Sequence, residues 1–185
     1  MQYYETITLK DGRECILRNA TAADAGAVLE VFQQTHGETD YLLSYPDENT
    51  FDLAGEEAFL RKLEESGNEL ELLAIVDGQV VASAGIDAVG TKYKVRHRAD
   101  FGISVLKAFW GLGIGRALTK ACIRLAKQAG YAQLELQAVA ENRSALRLYE
   151  SVGFREYGRN PKGFRSRETG WQELVLMRLE LLAEI

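Results

Sequence analysis

Two rhythms of apolar and polar residues divide this chain. Short runs suited to strands open it and return in its middle, while apolar positions three and four apart, suited to helices, fill the intervals. Thr6 to Leu9 and Glu14 to Arg18 flank Lys10-Asp11-Gly12-Arg13, and Asp-Gly between apolar runs is a strong hairpin signal. Thr21 then reads as an N-cap with Asp24 three residues on, an acidic version of the capping box. The helix it opens carries Ala27, Val28, Val31 and Phe32 on one side. Gly37 to Thr50 reads as a loop with room for a turn of helix. Glu56 to Ser66 is a charged amphipathic helix with Ala58, Phe59 and Leu63 inward.

Glu71 to Val76 and Val80 to Ile86, joined by Asp77-Gly78-Gln79, make a second predicted hairpin whose Leu, Val and Ile content suits central strands. A basic connection, Gly90 to Arg98, leads to a strand over Asp100 to Val105. Leu112 to Gly130 is a glycine-led helix, with Ile114, Ala117, Leu118, Ala121, Cys122 and Leu125 at helical spacing. Leu134 to Val139 is a strand, Ser144 to Val152 a short helix, and Glu173 to Leu179 closes the sheet. A meander of strands followed by strand, helix, strand, helix and strand predicts an α/β fold. Its sheet is mixed, with helices on both faces and a right-handed crossover. With two prolines, Pro46 and Pro161, and no Gly/Ser-rich linker, residues 1–185 read as a single domain.

The informative stretch is ISVLKAFWGLGIGRALTKACIRLAKQAG. A strand ends near Val105, and Gly111, Gly113 and Gly115 then alternate just before a helix. That spacing leaves backbone amides unobstructed and aims a helix N-terminus at whatever sits there, an arrangement suited to phosphate or pyrophosphate. The Walker A pattern fails, because Gly115 is followed by Arg116 and Ala117 rather than Lys and Ser or Thr. The dinucleotide fingerprint fails too: its last glycine would be Arg116 counted from Gly111, or Leu118 counted from Gly113. On spacing alone, a ligand site and a plain glycine-rich connector both stand.

Charge narrows the partners. A net charge of -5 argues against a general nucleic-acid binder, and mildly favours a cationic substrate. The basic runs Lys92 to Arg98 and Lys162 to Arg167 are short and read as solvated faces, with His97 on the surface. Cys15 and Cys122 read as buried reduced thiols, and with His36 and His97 they make no zinc pattern, so no metal is expected. The opening MQYYETITLKDGR has no basic stretch followed by an apolar block, and no apolar run approaches a membrane span. The expectation is a cytoplasmic protein with no membrane partner.

Two segments resemble the GCN5-related N-acetyltransferases (GNAT). The first runs from Val105 to Leu118 (VLKAFWGLGIGRAL), the second from Asn142 to Phe154 (NRSALRLYESVGF), at the family's usual separation. The resemblance implies a mixed, mostly antiparallel central sheet flanked by helices on both faces, and acetyl-CoA as cosubstrate. Backbone at Ile103 and Val105 would lie along the pantetheine arm and polarise the thioester carbonyl. Amides from Leu112, Gly113, Ile114, Gly115, Arg116 and Ala117 would hold the pyrophosphate. Asn142 would hydrogen-bond the cofactor with Ala145 packed beside it, and Tyr149 would protonate the departing thiolate. The sequence departs from the family at Lys107 and Trp110, where Pro and Arg or Gln are frequent. Trp110 brings no charge to the pyrophosphate, which leaves more to the backbone and Arg116. Either basic run is also a candidate for the adenosine 3′-phosphate.

Acetyl transfer needs a neutral amine. Deprotonating a lysine amine at pH 7 costs about 4.6 kcal/mol, an α-amine about 1.4 kcal/mol. Asp100, just before the cofactor strand, is the candidate base. A strand amide near Val105 is the candidate oxyanion donor. His36, Glu38, Thr39 and Asp40 form a polar cluster in the loop where relatives contact the acceptor. Neither cysteine sits in a nucleophile setting, so direct transfer is expected. The expected acceptor is a small-molecule or peptide amine: a protein N-terminus or lysine, a polyamine, or an amine metabolite. A homodimer is a common arrangement among similar proteins. The alternative function is a non-catalytic acyl-CoA-binding sensor, against which the retention of Tyr149 argues.

Overall fold

Asp11-Gly12 turns the chain as predicted. Gly12 takes a left-handed conformation at φ 89°, and β1 (Tyr4–Thr8) pairs antiparallel with β2 (Glu14–Asn19). The computed structural model describes residues 1–181. Behind β2, the Asp24 carboxylate accepts from the Thr21 amide and hydroxyl, both at 2.8 Å, and pairs with Arg18 at 2.7 Å. A short 3-10 turn there leads into α1 (Ala25–Glu38). Asp52 caps α2 (Leu53–Glu65) by accepting from the Gly55 amide at 2.8 Å. The tight turn at Asp77-Gly78, both at positive φ, joins β3 (Leu70–Val76) to β4 (Gln79–Ala88).

The second half crosses over. β5 (Arg98–Val105) is followed by α3 (Ile114–Gln128) and then by β6 (Gln133–Val139), which lies parallel to β5. After α4 (Arg143–Ser151) the chain returns through β7 (Arg155–Ser166) and β8 (Gly170–Glu180). The eight strands form one sheet in the order β1-β2-β3-β4-β5-β6-β8-β7, antiparallel except at β5–β6.

Alternation along the central strands feeds two cores. Leu72, Ala74, Ala82, Ile86 and Phe101 face α3 and α4, meeting the fully buried Leu118 and Cys122. Leu73 and Val80 face α1 and α2, meeting Val28, Val31, Leu60 and Leu63. Each fully buried aliphatic side chain stabilises the fold by roughly 2 kcal/mol.

Three expectations need correction. The chain from 155 to 166 is a strand, β7, that periodicity did not announce. It lies at the edge of the sheet, where exposed charges and Pro161 are tolerated, and its register against β8 shifts between Asn160 and Phe164. The first helix runs on to Glu38, so Gly37 and Glu38 are helical rather than loop. In α2, Ala58 is exposed; Glu56 and Leu60 turn inward with Leu63.

Candidate active site

A gap in the sheet creates the site. β5 and β6 hold their parallel register only from Arg98 to Asp100, clamped by the Arg98–Glu135 ion pair at 2.8 Å, and then part. The Leu106 amide donates to the Val81 carbonyl on the β4 side, so by the alternation of a strand Ile103 and Val105 direct their backbone groups away from β4, into the gap. The Val105 carbonyl is taken by the Trp110 indole N–H at 2.7 Å. Trp110 thus supports the strand end, with Lys107 over its ring at 5.9 Å. The remaining polar backbone of Ile103 and Val105 lines a cleft of about 420 Å³.

The far wall of the cleft is the start of α3. Gly113 caps it at φ 102°, a conformation closed to most side chains, and Gly111 is also left-handed at φ 78°. The first-turn amides of Ile114, Gly115 and Arg116 have no intrahelical acceptor. The Ala117 amide does, donating to the Gly113 carbonyl at 3.1 Å, and neither Ala117 nor Leu112 is on the cleft wall. Of the residues expected to form the cradle, Gly113, Ile114, Gly115 and Arg116 line the cleft. Lys10, Arg116 and Arg147 add three positive charges around it, of which only Arg116 was expected.

The gap is closed on its other side by α4. Asn142 caps this helix, its Oδ1 accepting from the Ala145 amide at 3.3 Å, and both residues line the cleft. Tyr149 lies deeper, 8% exposed, its ring edge-on to Phe101 at 6.2 Å and to Phe154 at 5.9 Å. Burial pushes its hydroxyl up to about 12, so it stays protonated.

The expected polar cluster divides. Thr39 lines the cleft. Glu38 accepts from the Lys107 amide at 2.7 Å and ties α1 to the strand end. Asp40 accepts from Ser166 Oγ at 2.5 Å, Tyr45 OH at 3.0 Å and Gln172 Nε2 at 3.1 Å, binding the loop to the β7–β8 hairpin. His36 stacks on Phe32 at 3.7 Å, with Nδ1 2.9 Å from the Phe32 carbonyl, and burial lowers its pKa so that it is neutral near pH 7.

Asp100 stands at the closed end of the β5–β6 pair, exposed and opposite Glu135, and is not on the cleft wall. Neither basic run lines the cleft: Arg96 lies over Tyr93, and Lys162 and Arg165 lie over Trp171. Cys15 and Cys122 are buried away from it, with burial pushing both thiols up. Among the described residues no three His, Cys, Asp or Glu side chains are placed to hold a metal, and no helix is long and apolar enough to cross a membrane.

A second cavity, of about 330 Å³, opens on the α1–α2 side of the sheet and shares Ser104 with the first. Glu71 of β3, Glu56 of α2 and Ser83 of β4 line it, and none of them stood out in the sequence. Burial lifts Glu71 to about 7, with the charges of Glu56 and Asp87 adding to the shift and the Ser83 hydroxyl opposing it. Burial alone raises Glu56.

With this geometry in hand, known proteins place the chain. The sequence model of the acetyltransferase (GNAT) family matches residues 32–154. The L-amino acid N-acetyltransferase AaaT of Escherichia coli strain K12 is 25% identical over 151 residues, 80% of this chain and 88% of that protein. An acetyltransferase of the GNAT family from Streptococcus pneumoniae superposes with a TM-score of 0.86 at 27% identity, covering 91% of this chain and 99% of the other. A Salmonella typhimurium protein whose structure holds its cofactor acetyl-CoA has the same fold, with a TM-score of 0.79 at 22% identity over 91% of this chain and 95% of its own.

Proposed function

This chain belongs to the GNAT family of acetyltransferases, and from that membership we propose that it moves the acetyl group of acetyl-CoA directly onto a primary amine. The observation that carries the proposal is the split between β5 and β6, with the N-terminus of α3 at one end and Tyr149 at the other. The pyrophosphate sits against the amides of Gly113 to Arg116, where the helix dipole and Lys10, Arg116 and Arg147 favour negative charge. The pantetheine arm runs along the open edge of β5 as an added strand would, its amides meeting the backbone of Ile103 and Val105. Asn142 is left with its amide nitrogen for the cofactor, since its oxygen caps α4.

At the thioester, the Val105 N–H is the donor for the oxyanion that forms when the amine attacks. Tyr149, protonated and buried, supplies a proton to the departing sulfur. The inert settings of Cys15 and Cys122 support direct attack. The AaaT relative, named for L-amino acids, is compatible with a small amine acceptor and does not choose among such amines. A sensor without turnover would not need a buried phenol at this place.

Titration calorimetry with coenzyme A tests the cradle. Gly115→Glu is the informative variant, because a Cβ there meets Leu148 at an ordinary 3.5 Å and the fold admits it. Its carboxylate would stand in the phosphate seat. The wild type should bind CoA and the variant at least about 100-fold more weakly, as expected for a buried like-charge contact, with unchanged thermal stability. Equal affinities would overturn the site.

A further inference from the structure

The second cavity has a chemical signature of its own. Its apolar wall comes from Val28, Leu29 and Phe32 of α1, with Phe51 and Phe59 opposite. Its polar groups are three glutamates, the neutral His36, and the hydroxyls and amide of short side chains; among the described residues no Lys or Arg lines it. Glu48, at the mouth, is exposed and already receives the Tyr45 amide. Glu56 is different. It is 6% exposed, its side chain makes no ion pair or hydrogen bond among the described residues, and it has no buried oxygen left unsatisfied, so its carboxylate reaches solvent through the cavity.

Register shows what lies between these carboxylates and the reacting strand. Glu71 is paired with Gly85, and Gly85 with Gly102 of β5, so all three sit on one face in a row across three strands. Over that row Gly102 has nothing within 4 Å of where a Cβ would stand, while at Gly85 the Leu70 carbonyl lies 3.5 Å and Asp87 Oδ2 3.8 Å from that point. Ser83 and Ser104, paired in the neighbouring row, put small hydroxyls alongside. Glu71 is two strands from β5, roughly 10 Å in backbone terms, and its side chain spans about half of that. Ser104, in the row beside that of Glu71, lines both cavities and is where they meet.

We infer that this cavity is the acceptor site, that it takes an apolar primary amine with its ammonium between Glu56 and Glu71, and that it rejects free α-amino acids. The inference rests on the acetyl-CoA reading above. An α-carboxylate one carbon from the amine would lie among Glu56 and Glu71 with no cation to receive it, and like charges in a water-poor cavity repel strongly. Glu71 takes one proton from the ammonium and later returns it to solvent. The freed nitrogen pair forms the N–C bond, and the C–S bond breaks as the tetrahedral intermediate collapses. The second proton lost by nitrogen replaces the one that Tyr149 gives to the sulfur, so the products are the amide, CoA thiol and one proton in solution.

Initial rates of CoA thiol release with 2-phenylethylamine, L-phenylalaninamide and L-phenylalanine test this, because the three differ in the carboxylate. We expect kcat/KM for the amine and the amide to exceed that for the amino acid at least about 100-fold. Glu56→Gln should raise KM for 2-phenylethylamine about tenfold. Glu71→Gln should lower kcat about 100-fold, in the range of a general base, and abolish the acid limb of kcat/KM near pH 7. Both variants should keep wild-type CoA affinity and thermal stability no lower than that of the parent. L-phenylalanine as the equal or better substrate, no turnover on any of the three by protein that binds CoA, or unaltered kinetics in both variants would overturn the inference. Failure of the wild type to bind CoA would instead strike the reading beneath it.

Discussion

An apolar shell around the ring of Tyr149 raises the pKa of its hydroxyl. The residue's place in LYESVGF marked it, but its protonation state depends on packing, against Phe101 far back along the chain and against Phe154 of the same motif. Phe101 and Phe154 hold its ring edge-on, and burial lifts its hydroxyl to about 12. A phenol so placed keeps its proton at any pH near neutrality, yet it is a weaker acid than a thiol of about 8.5. On the proposed mechanism its proton would cross to sulfur only as the amine proton arrives behind it. Tyr149→Phe keeps the ring packing and removes that path. We expect kcat to fall roughly 10- to 100-fold with CoA affinity within a factor of about two. Single-turnover rates check this, and a wild-type rate would assign the proton to water. Glu71 and Glu56 gave no comparable signal, because a glutamate in a strand or helix reads as a solvated position until the opposite wall of its cavity is known.

At the scale of elements, the sequence was legible where one local rule sufficed. Asp-Gly turns, the Thr21–Asp24 cap and the glycines before α3 each depend on neighbours a few residues away. The edge strand β7 was not, since a strand with one pairing edge and exposed charges lacks the alternation that marks a buried one. That strand gives Asp40 its role. Read in sequence, Asp40 belonged to a polar loop facing the acceptor. In the fold it gathers Tyr45, Ser166 and Gln172 and fixes the loop after α1 to the β7–β8 hairpin. Losing a charged acceptor of several hydrogen bonds should cost roughly 2 to 4 kcal/mol. Asp40→Ala is accordingly expected to lower Tm by about 5 to 10 °C while leaving CoA affinity unchanged. Thermal unfolding followed by circular dichroism, with calorimetry beside it, separates this from an acceptor contact, which would raise KM at unchanged Tm.

The whole molecule carries a pH dependence set by groups on opposite sides of their ordinary values. Glu71 rises from 4.5 to about 7 through burial. Between those values the folded chain holds a proton that the unfolded chain has released, so stability falls as pH rises, and the loss is complete above about 7. The contribution is at most about 3 kcal/mol, less whatever water in the cavity screens. Glu56, raised by burial, acts in the same direction. Asp24 acts in the other: Arg18 holds it at about 2, so its stabilisation is present above 3.8 and disappears as pH falls through about 2. Tm should therefore decline from about pH 5 to pH 8 in the wild type and do so less in Glu71→Gln, which becomes the more stable protein at pH 8. Scanning calorimetry over that range decides it, and parallel profiles for the two proteins would mean that Glu71 is ionised alike in both states. A carboxylate that weakens the fold at working pH needs another reason to be there. The amine that must lose a proton beside Ser104 supplies one, since the same desolvation that costs stability brings the pKa of Glu71 to where a base can cycle.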